Sequence, residues 1–152
     1  MARVLITGMS GVGKSSVLKE LGERGYSVVD TDYGHWKTES GLWDEVLMGA
    51  LLGESTELIV AGTVENQRMF YDRFDHVVLL SAPSEVILER VRARASNPYG
   101  STATEQAEIV ANLETVEPLL RRSATVEFDA TQPLDAVVAE IEGLLDRPSR
   151  FT

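Results

Sequence analysis

Three glycines and a lysine are concentrated in the eight residues GMSGVGKS, at positions 8–15. The apolar run RVLIT precedes this stretch and SVLKELGERG follows it, so it lies between a predicted strand and a predicted helix. Gly8, Gly13, Lys14 and Ser15 fit the pattern G-x-x-x-x-G-K-[ST]. Glycines before a helix leave successive backbone N–H groups open to an anion, and the helix dipole adds positive charge there. The stretch therefore predicts a phosphate-binding loop.

The lysine of this loop and the two serines that follow it have predicted roles in binding a nucleoside triphosphate. Lys14 can reach the β- and γ-phosphates, and the Ser15 hydroxyl can bind the Mg²⁺ that bridges them. Ser16 can contact the α-phosphate. We therefore predict ATP and Mg²⁺ as cofactors, bound through Gly8, Ser10, Gly11, Val12, Gly13, Lys14, Ser15 and Ser16. The alternative is a glycine turn that only packs a helix against a strand.

Two carboxylates follow the second predicted strand, in the stretch VVDTDYGHW. Asp30 and Asp32 are two residues apart, so in a strand they would point to the same side, at the sheet edge where the phosphate loop also opens. One carboxylate beside Mg²⁺ and one beside an attacking hydroxyl is the division of roles that phosphoryl transfer requires. The alternative is that these aspartates only end a strand and cap a helix.

The whole-chain properties restrict the class of protein. With 152 residues, 16.7 kDa and 43% apolar residues, the chain predicts one globular domain over residues 1–152. The net charge of -10 argues against nucleic acid as a partner and disfavours anionic lipid. The chain has no cysteine, which excludes disulfides and thiolate chemistry. Without an apolar run of membrane length or a signal sequence, we expect a cytoplasmic protein, as a monomer or a homodimer.

Strand and helix patterns alternate along the chain, which predicts an α/β fold with a doubly wound, mainly parallel sheet. The predicted strands are apolar runs at 3–7, 26–30, 57–62, 76–82 and 125–130. The predicted helices cover 14–24, 41–52, 66–74, 84–95, 104–121 and 134–146.

The motifs GMSGVGKS and VVDTD together resemble those of the small P-loop kinases typified by shikimate kinase, with gluconate kinase and adenylate kinase as relatives. The resemblance continues in PLLRRSATVEFDAT, at 118–131. It implies a three-layer P-loop NTPase sandwich with a five-stranded parallel sheet in the order 2-3-1-4-5. It also implies an acceptor-covering segment at about 33–56, a lid at about 95–105, a metal-supporting role for Asp30 and an acceptor-facing role for Asp32.

The same resemblance gives roles to residues near the lid and after the fifth strand. Arg90 and Arg94 are four residues apart and share a helical face. By similarity to the lid arginines of adenylate kinases, Arg90 would stack on adenine and Arg94 would reach the transferring phosphate, where a cation stabilises the transition state. Thr131 and Pro133 would line the adenine. The alternative is a solvated basic face on a surface helix.

The acceptor side departs from the shikimate kinase pattern. That family holds its substrate carboxylate with arginines, whereas this chain has no arginine between Arg24 and Arg68 and has Val116 where a second one is expected. Shikimate is therefore not the expected acceptor. Tryptophans with acidic neighbours suit a ring, a sugar or a cationic group better. The candidate acceptor contacts are Asp32, His35, Trp36, Asn66, Gln67 and Arg68, although Trp43, Leu47 and Leu51 at helical spacing favour a core role for Trp43.

These residues predict an ATP- and Mg²⁺-dependent kinase that acts on a small-molecule hydroxyl, with Lys14, Asp32 and Arg94 as its catalytic residues. A nucleoside or nucleotide kinase is one alternative. Another is a nucleotide-binding ATPase switch without a small-molecule acceptor, for which we would expect an aspartate at the end of the third strand and a water-positioning residue. That strand ends in VAGT, around Gly62 and Thr63.

Overall fold

Five parallel strands form one sheet in the order β2-β3-β1-β4-β5 in the computed structural model, which describes residues 2–9, 11–93 and 102–146. Both the parallel sheet and its order confirm the prediction. Each strand lies within its predicted range: β1 (Arg3–Thr7), β2 (Val28–Asp30), β3 (Leu58–Ala61), β4 (His76–Ser81) and β5 (Val126–Asp129). In the register of the central strands, Leu5 of β1 pairs with Val60 of β3 and with Val77 of β4.

Helices cover both faces of the sheet, as predicted for a three-layer fold. They are α1 (Lys14–Glu23), α2 (Glu45–Glu54), a 3-10 helix (Glu65–Arg73), α3 (Ser84–Ala93), α4 (Ala103–Thr115), α5 (Glu117–Ser123) and α6 (Leu134–Asp146). On one face, α1, α3 and α6 bury Val4 and Ile6 of β1. On the other face, α2 and the 3-10 helix cover Leu5 and Val60, and α5 covers Leu79. Within the described residues no helix is long and apolar enough to cross a membrane.

The helix predicted over 41–52 begins later than expected, and this changes the surroundings of Trp43. The Asp44 side chain caps α2 by accepting from the backbone N–H groups of Val46 and Leu47. Trp43 therefore lies before the helix, and its side chain is 1% exposed. The core role of Trp43 is confirmed. The prediction that Trp43 and Leu47 share one buried face of a helix is wrong, because Leu47 is exposed while Met48 is buried.

Two other helix predictions need correction. The helix expected over 104–121 is two helices that break at Val116, because Pro118 has no N–H to continue the hydrogen-bond pattern. The helix expected over 66–74 is a 3-10 helix, in which Gln67 and Phe70, three residues apart, both face inward. This short helix lies directly after β3, at the sheet edge where the phosphate loop opens.

Candidate active site

The predicted phosphate loop connects β1 to α1. Gly13 precedes the helix with a φ of 99°, a left-handed backbone conformation that glycine adopts without steric strain. Among the described residues, no side chain caps the first turn of α1. An uncapped first turn directs backbone N–H groups toward the loop, where an anion can bind, as the motif predicts. Ser10 lies outside the described residues.

The Lys14 ammonium is held over the same loop. Its Nζ donates to the carbonyl oxygen of Gly8 at 2.5 Å and lies 3.3 Å from that of Met9. Its positive charge is therefore held next to the first two residues of the loop. Ser15 and Ser16, which follow Lys14, are exposed at the start of α1.

Thr63, directly after β3, fixes the first residue of the loop. Its hydroxyl donates to the Gly8 carbonyl at 2.6 Å and accepts from the Gly8 N–H at 3.2 Å. The same oxygen lies 3.0 Å from the Thr7 hydroxyl, to which the Gln67 amide donates. Sequence reasoning gave Thr63 no role, although its place after a central strand was a usable signal, because the carboxyl ends of parallel strands meet at one edge.

The candidate metal site is formed by Ser15 and Asp30. The Ser15 hydroxyl donates to Asp30 Oδ2 at 2.7 Å, so the last residue of β2 reaches the first turn of α1. One hydroxyl and one carboxylate fit Mg²⁺, which prefers oxygen ligands and usually takes the rest of its shell from phosphates and water. Among the described residues, no group of three histidine, aspartate or glutamate side chains is arranged to hold a metal alone.

Glycine at position 62 explains why the carboxylate comes from β2 and not from β3. A Cβ at Gly62 would collide with the hydroxyl of Thr31 and would lie 3.4 Å from the indole of Trp43. Thr31 is 1% exposed and donates to the Ala61 carbonyl at 2.9 Å, so it cannot easily move away. The end of β3 therefore has no room for an acidic side chain, which leaves Asp30 as the carboxylate beside Ser15.

Asp32 lies next to Asp30, but in a turn and not in the strand that the two-residue spacing suggested. Strand β2 ends at Asp30, and the backbone N–H of Asp32 donates to Asp30 Oδ1 at 3.1 Å. The Asp32 side chain is 50% exposed and accepts from Lys37 Nζ at 3.1 Å. Asp30 therefore accepts from both the Ser15 hydroxyl and the Asp32 backbone, while the Asp32 carboxylate is paired with Lys37, a contact that sequence reasoning did not identify.

Asn66 and Gln67 are buried, and their amide groups bind other parts of the fold. The Asn66 side chain accepts from the Trp43 N–H and donates to the Trp43 carbonyl, both at 3.0 Å. Gln67 is 2% exposed, accepts from the Val64 N–H and donates to Tyr71 in addition to Thr7. Both residues support the site, and a direct contact with an acceptor would require these bonds to open. His35 and Arg68 are exposed and Trp36 is half-buried, so their acceptor contacts stay predictions.

The predicted base-binding side lies between α3 and the end of β5. Arg90 donates to the carbonyls of Val12 at 3.1 Å and Ala130 at 2.6 Å, so its guanidinium bridges the phosphate loop and the loop after β5. Stacking of Arg90 on adenine stays a prediction, and Arg94, with residues 95–101 of the predicted lid, lies outside the described residues.

An open pocket of about 330 Å³ adjoins this side, at the carboxyl ends of β4 and β5. Its lining includes Thr131, whose hydroxyl and N–H both donate to Asp129 and lower the pKa of that carboxyl. Pro133 is exposed nearby, two residues further along.

The sheet order, the glycine-rich loop after β1 and the helices on both faces define the class of fold, that of the P-loop kinases. A family model described as AAA domain matches residues 4–111, which is more than half of the chain. The chain therefore belongs to this AAA domain family. A comparison with curated proteins finds no match.

Kinases of several substrate classes are among the solved structures with this fold. Shikimate kinase from Acinetobacter baumannii, in complex with shikimate, is 20% identical, with a TM-score of 0.74 over 95% of this chain and 93% of that chain. A gluconokinase from Sinorhizobium meliloti is 21% identical, with a TM-score of 0.57 over 91% and 87% of the two chains. Deoxyadenosine kinase from M. mycoides with bound dATP is 15% identical, with a TM-score of 0.67 over 95% and 99%.

Proposed function

We propose that the protein is a phosphotransferase that moves the γ-phosphate of ATP, in the presence of Mg²⁺, to a hydroxyl group of a small molecule. The observation that carries the proposal is the contact between Ser15 and Asp30 at the mouth of the loop, with Asp32 bonded directly beside it. A metal-supporting carboxylate and a second carboxylate facing an acceptor are the two groups that this chemistry needs.

In the proposed reaction, Asp32 accepts the proton of the acceptor hydroxyl while the hydroxyl oxygen bonds to the γ-phosphorus. The bond from that phosphorus to the bridging oxygen breaks, and ADP leaves with the electron pair. Asp32 then returns the proton to water. Lys14 and the loop N–H groups hold the phosphates, and Arg94 is assigned to the transferring phosphate. Mg²⁺, bound by Ser15 and Asp30, would neutralise charge on the β- and γ-phosphate oxygens.

The absence of an acidic residue directly after β3 favours a phosphotransferase over a nucleotide-binding switch. Gly62 stands there with no room for a side chain, so that position cannot supply the aspartate expected of a switch. A nucleoside kinase remains an alternative within the same chemistry and differs only in its acceptor, whereas a nucleotide kinase would transfer the γ-phosphate to a phosphate oxygen of its acceptor. A cytoplasmic location and a monomeric or homodimeric state stay predictions.

The proposal is tested by measuring ADP release from ATP and Mg²⁺ with and without a panel of sugars, polyols, nucleosides, nucleotides and hydroxy acids. We expect one class of acceptor to stimulate turnover and to be recovered as its phosphate ester. Asp32→Asn is expected to lower that transfer by about 10²–10⁴-fold, the range for loss of a general base, while ATP binding is kept. Turnover that no acceptor changes would contradict a transferase and favour the switch.

A further inference from the structure

The chain between β2 and α2 folds back on itself and gives Lys37 a fixed position. The Thr38 N–H donates to Leu42 and the Asp44 N–H donates to Trp36, both at 2.7 Å, so residues 36–44 form a short antiparallel hairpin. Lys37 pairs with Trp43 across this hairpin. Trp36 packs against the core, and because successive side chains of an extended strand alternate, Lys37 projects to the opposite side.

The core holds this hairpin in place through Trp43. The Trp43 ring is 1% exposed and lies 5.9 Å from the ring of Phe70, measured between centroids. Both backbone polar groups of Trp43 are bonded to the Asn66 amide. The Lys37 backbone is thus fixed by buried contacts, although its side chain is on the surface.

Lys37 is the only lysine or arginine in residues 25–67, a stretch that carries eight aspartate and glutamate residues. Its ammonium nevertheless lies 3.1 Å from Asp32, the proposed proton acceptor, and not beside one of the other acids on the hairpin. An ion pair this exposed contributes about 0–1 kcal/mol to stability. The pair can therefore open toward a ligand at little cost to the fold.

We infer that Lys37 and Asp32 together bind a vicinal diol of a neutral polyhydroxylated acceptor, such as a sugar, a polyol or a ribonucleoside. The inference rests on the proposed phosphotransferase function. Asp32 accepts from the hydroxyl that is phosphorylated, and Lys37 donates to the oxygen of the neighbouring hydroxyl. An ammonium has three N–H donors, and the contact with Asp32 uses one of them.

The pairing of a donor with an acceptor decides the class of ligand. A hydroxyl both donates and accepts, so adjacent hydroxyls satisfy Asp32 and Lys37 at once. A carboxylate or phosphate of the acceptor could accept from Lys37, but it would then stand beside Asp32 and near Asp30, so that two acids would oppose one ammonium. An amine of the acceptor would be repelled by Lys37. A neutral diol carries no charge, so neither the aspartates nor Lys37 repel it.

The test uses the full chain with ATP, Mg²⁺ and three sets of probes. The first contains glycerol, ribitol, D-ribose and adenosine, the second their deoxy analogues that keep the phosphorylated hydroxyl and lack its neighbour, and the third gluconate, shikimate and ribose 5-phosphate. We expect stimulation by a member of the first set. Lys37→Met is then expected to raise the KM for that acceptor about 10- to 100-fold, the effect of losing one charge-assisted hydrogen bond, with kcat within about threefold.

Several controls separate acceptor binding from a general defect. The deoxy analogue should show the same KM in the wild type and in Lys37→Met, and Lys37→Arg should recover part of the lost affinity. Lys19→Met, on the exposed side of α1, should leave all constants unchanged. The KM for ATP should be equal in all variants, and the thermal unfolding midpoint should change by no more than about 4 °C, the shift for a loss of about 1 kcal/mol.

The outcomes distinguish this inference from the proposed function. Stimulation by the third set alone, or an unchanged acceptor KM in Lys37→Met, would overturn the diol inference and leave the phosphotransferase intact. A loss of kcat without a change in acceptor KM would also overturn it. ATP turnover that no probe stimulates would overturn both.

Discussion

The hydroxyl of Thr31 fills the space into which a side chain of residue 62 would project, and this contact determines where the acids of the site stand. Because Thr31 is buried and bonded to Ala61, the residue that follows β3 has room only for glycine. The carboxylate beside Ser15 is then supplied by Asp30, at the end of the neighbouring strand. The arrangement of the candidate site is thus set by packing as well as by the chemistry of its polar groups.

Gly62→Ala is expected to destabilise the protein by about 1–3 kcal/mol, the range for overpacking a buried site. In a Thr31→Ala background the same change should cost less, because the colliding hydroxyl is gone. Urea denaturation of the two single variants and the double variant measures this coupling. Gly143→Ala is the matched control, since a Cβ there meets nothing within 4 Å. Additive effects of Gly62→Ala and Thr31→Ala would contradict the account.

Asp30→Asn is expected to weaken the dependence of ATP binding on Mg²⁺, because an amide carries no charge to hold a metal. We expect the apparent Mg²⁺ affinity to fall about 10- to 100-fold, while binding without metal changes little. Calorimetric titration of ATP at several Mg²⁺ concentrations provides the measurement. Asp72→Asn, at an exposed position of the 3-10 helix, serves as the control. Equal Mg²⁺ dependence in the wild type and Asp30→Asn would remove Asp30 from the metal site.

Asn66→Ala tests whether Asn66 supports the hairpin. The variant loses both bonds to the Trp43 backbone and leaves a buried N–H and carbonyl unpaired, so we expect a loss of about 1–3 kcal/mol in unfolding free energy. Arg68→Ala, two residues further along on an exposed position, should lose almost none. Thermal and urea unfolding distinguish the two, and wild-type stability of Asn66→Ala would show that the amide contributes no net support.

Glu127 makes the stability depend on pH. The Arg121 side chain, followed by the Ser81 hydroxyl, lowers the pKa of Glu127 below its ordinary value of 4.5. Since the folded pKa lies below the unfolded one, the stabilisation is present above pH 4.5 and is lost as the pH falls through the folded value. Because the Glu127 side chain is 37% exposed, we expect Glu127→Gln to cost at most about 1 kcal/mol at pH 7.

The measurement for Glu127 is the urea midpoint of the wild type and Glu127→Gln at pH 7 and at about pH 3, where the difference should be smaller because the Glu127 carboxylate begins to be protonated. Glu114→Gln, at an exposed position of α4, is the control for replacing a glutamate by glutamine. A gap between wild type and Glu127→Gln that persists unchanged at the lower pH would mean that charge on Glu127 is not its source.

The parts of the fold that depend on local signals could be predicted from the sequence. The loop GMSGVGKS lies between a strand and a helix as its pattern requires, and β1 and α6 have the predicted bounds. Some errors came from local signals that were present, since Asp44 is a typical helix cap and Pro118 a typical helix breaker.

The support of the site could not be predicted, because it depends on contacts between residues far apart in the chain. Asn66 and Gln67 are polar residues near the site, and sequence alone does not show that their amides bind Trp43 and Thr7. The contact of Lys37 with Asp32 likewise depends on a hairpin whose position is set by a buried tryptophan. Local pattern identifies such residues, whereas packing decides what they contact.

The central claim is that the loop before α1 binds a nucleoside triphosphate together with a metal ion held by Ser15 and Asp30. Its most direct test is isothermal titration calorimetry of the folded protein with ATP, with and without Mg²⁺. The account predicts saturable binding of one ATP per chain that Mg²⁺ strengthens and that Lys14→Ala weakens. Absence of Mg²⁺-dependent binding of ATP, GTP, CTP or UTP, by protein whose fold is verified by circular dichroism, would contradict it.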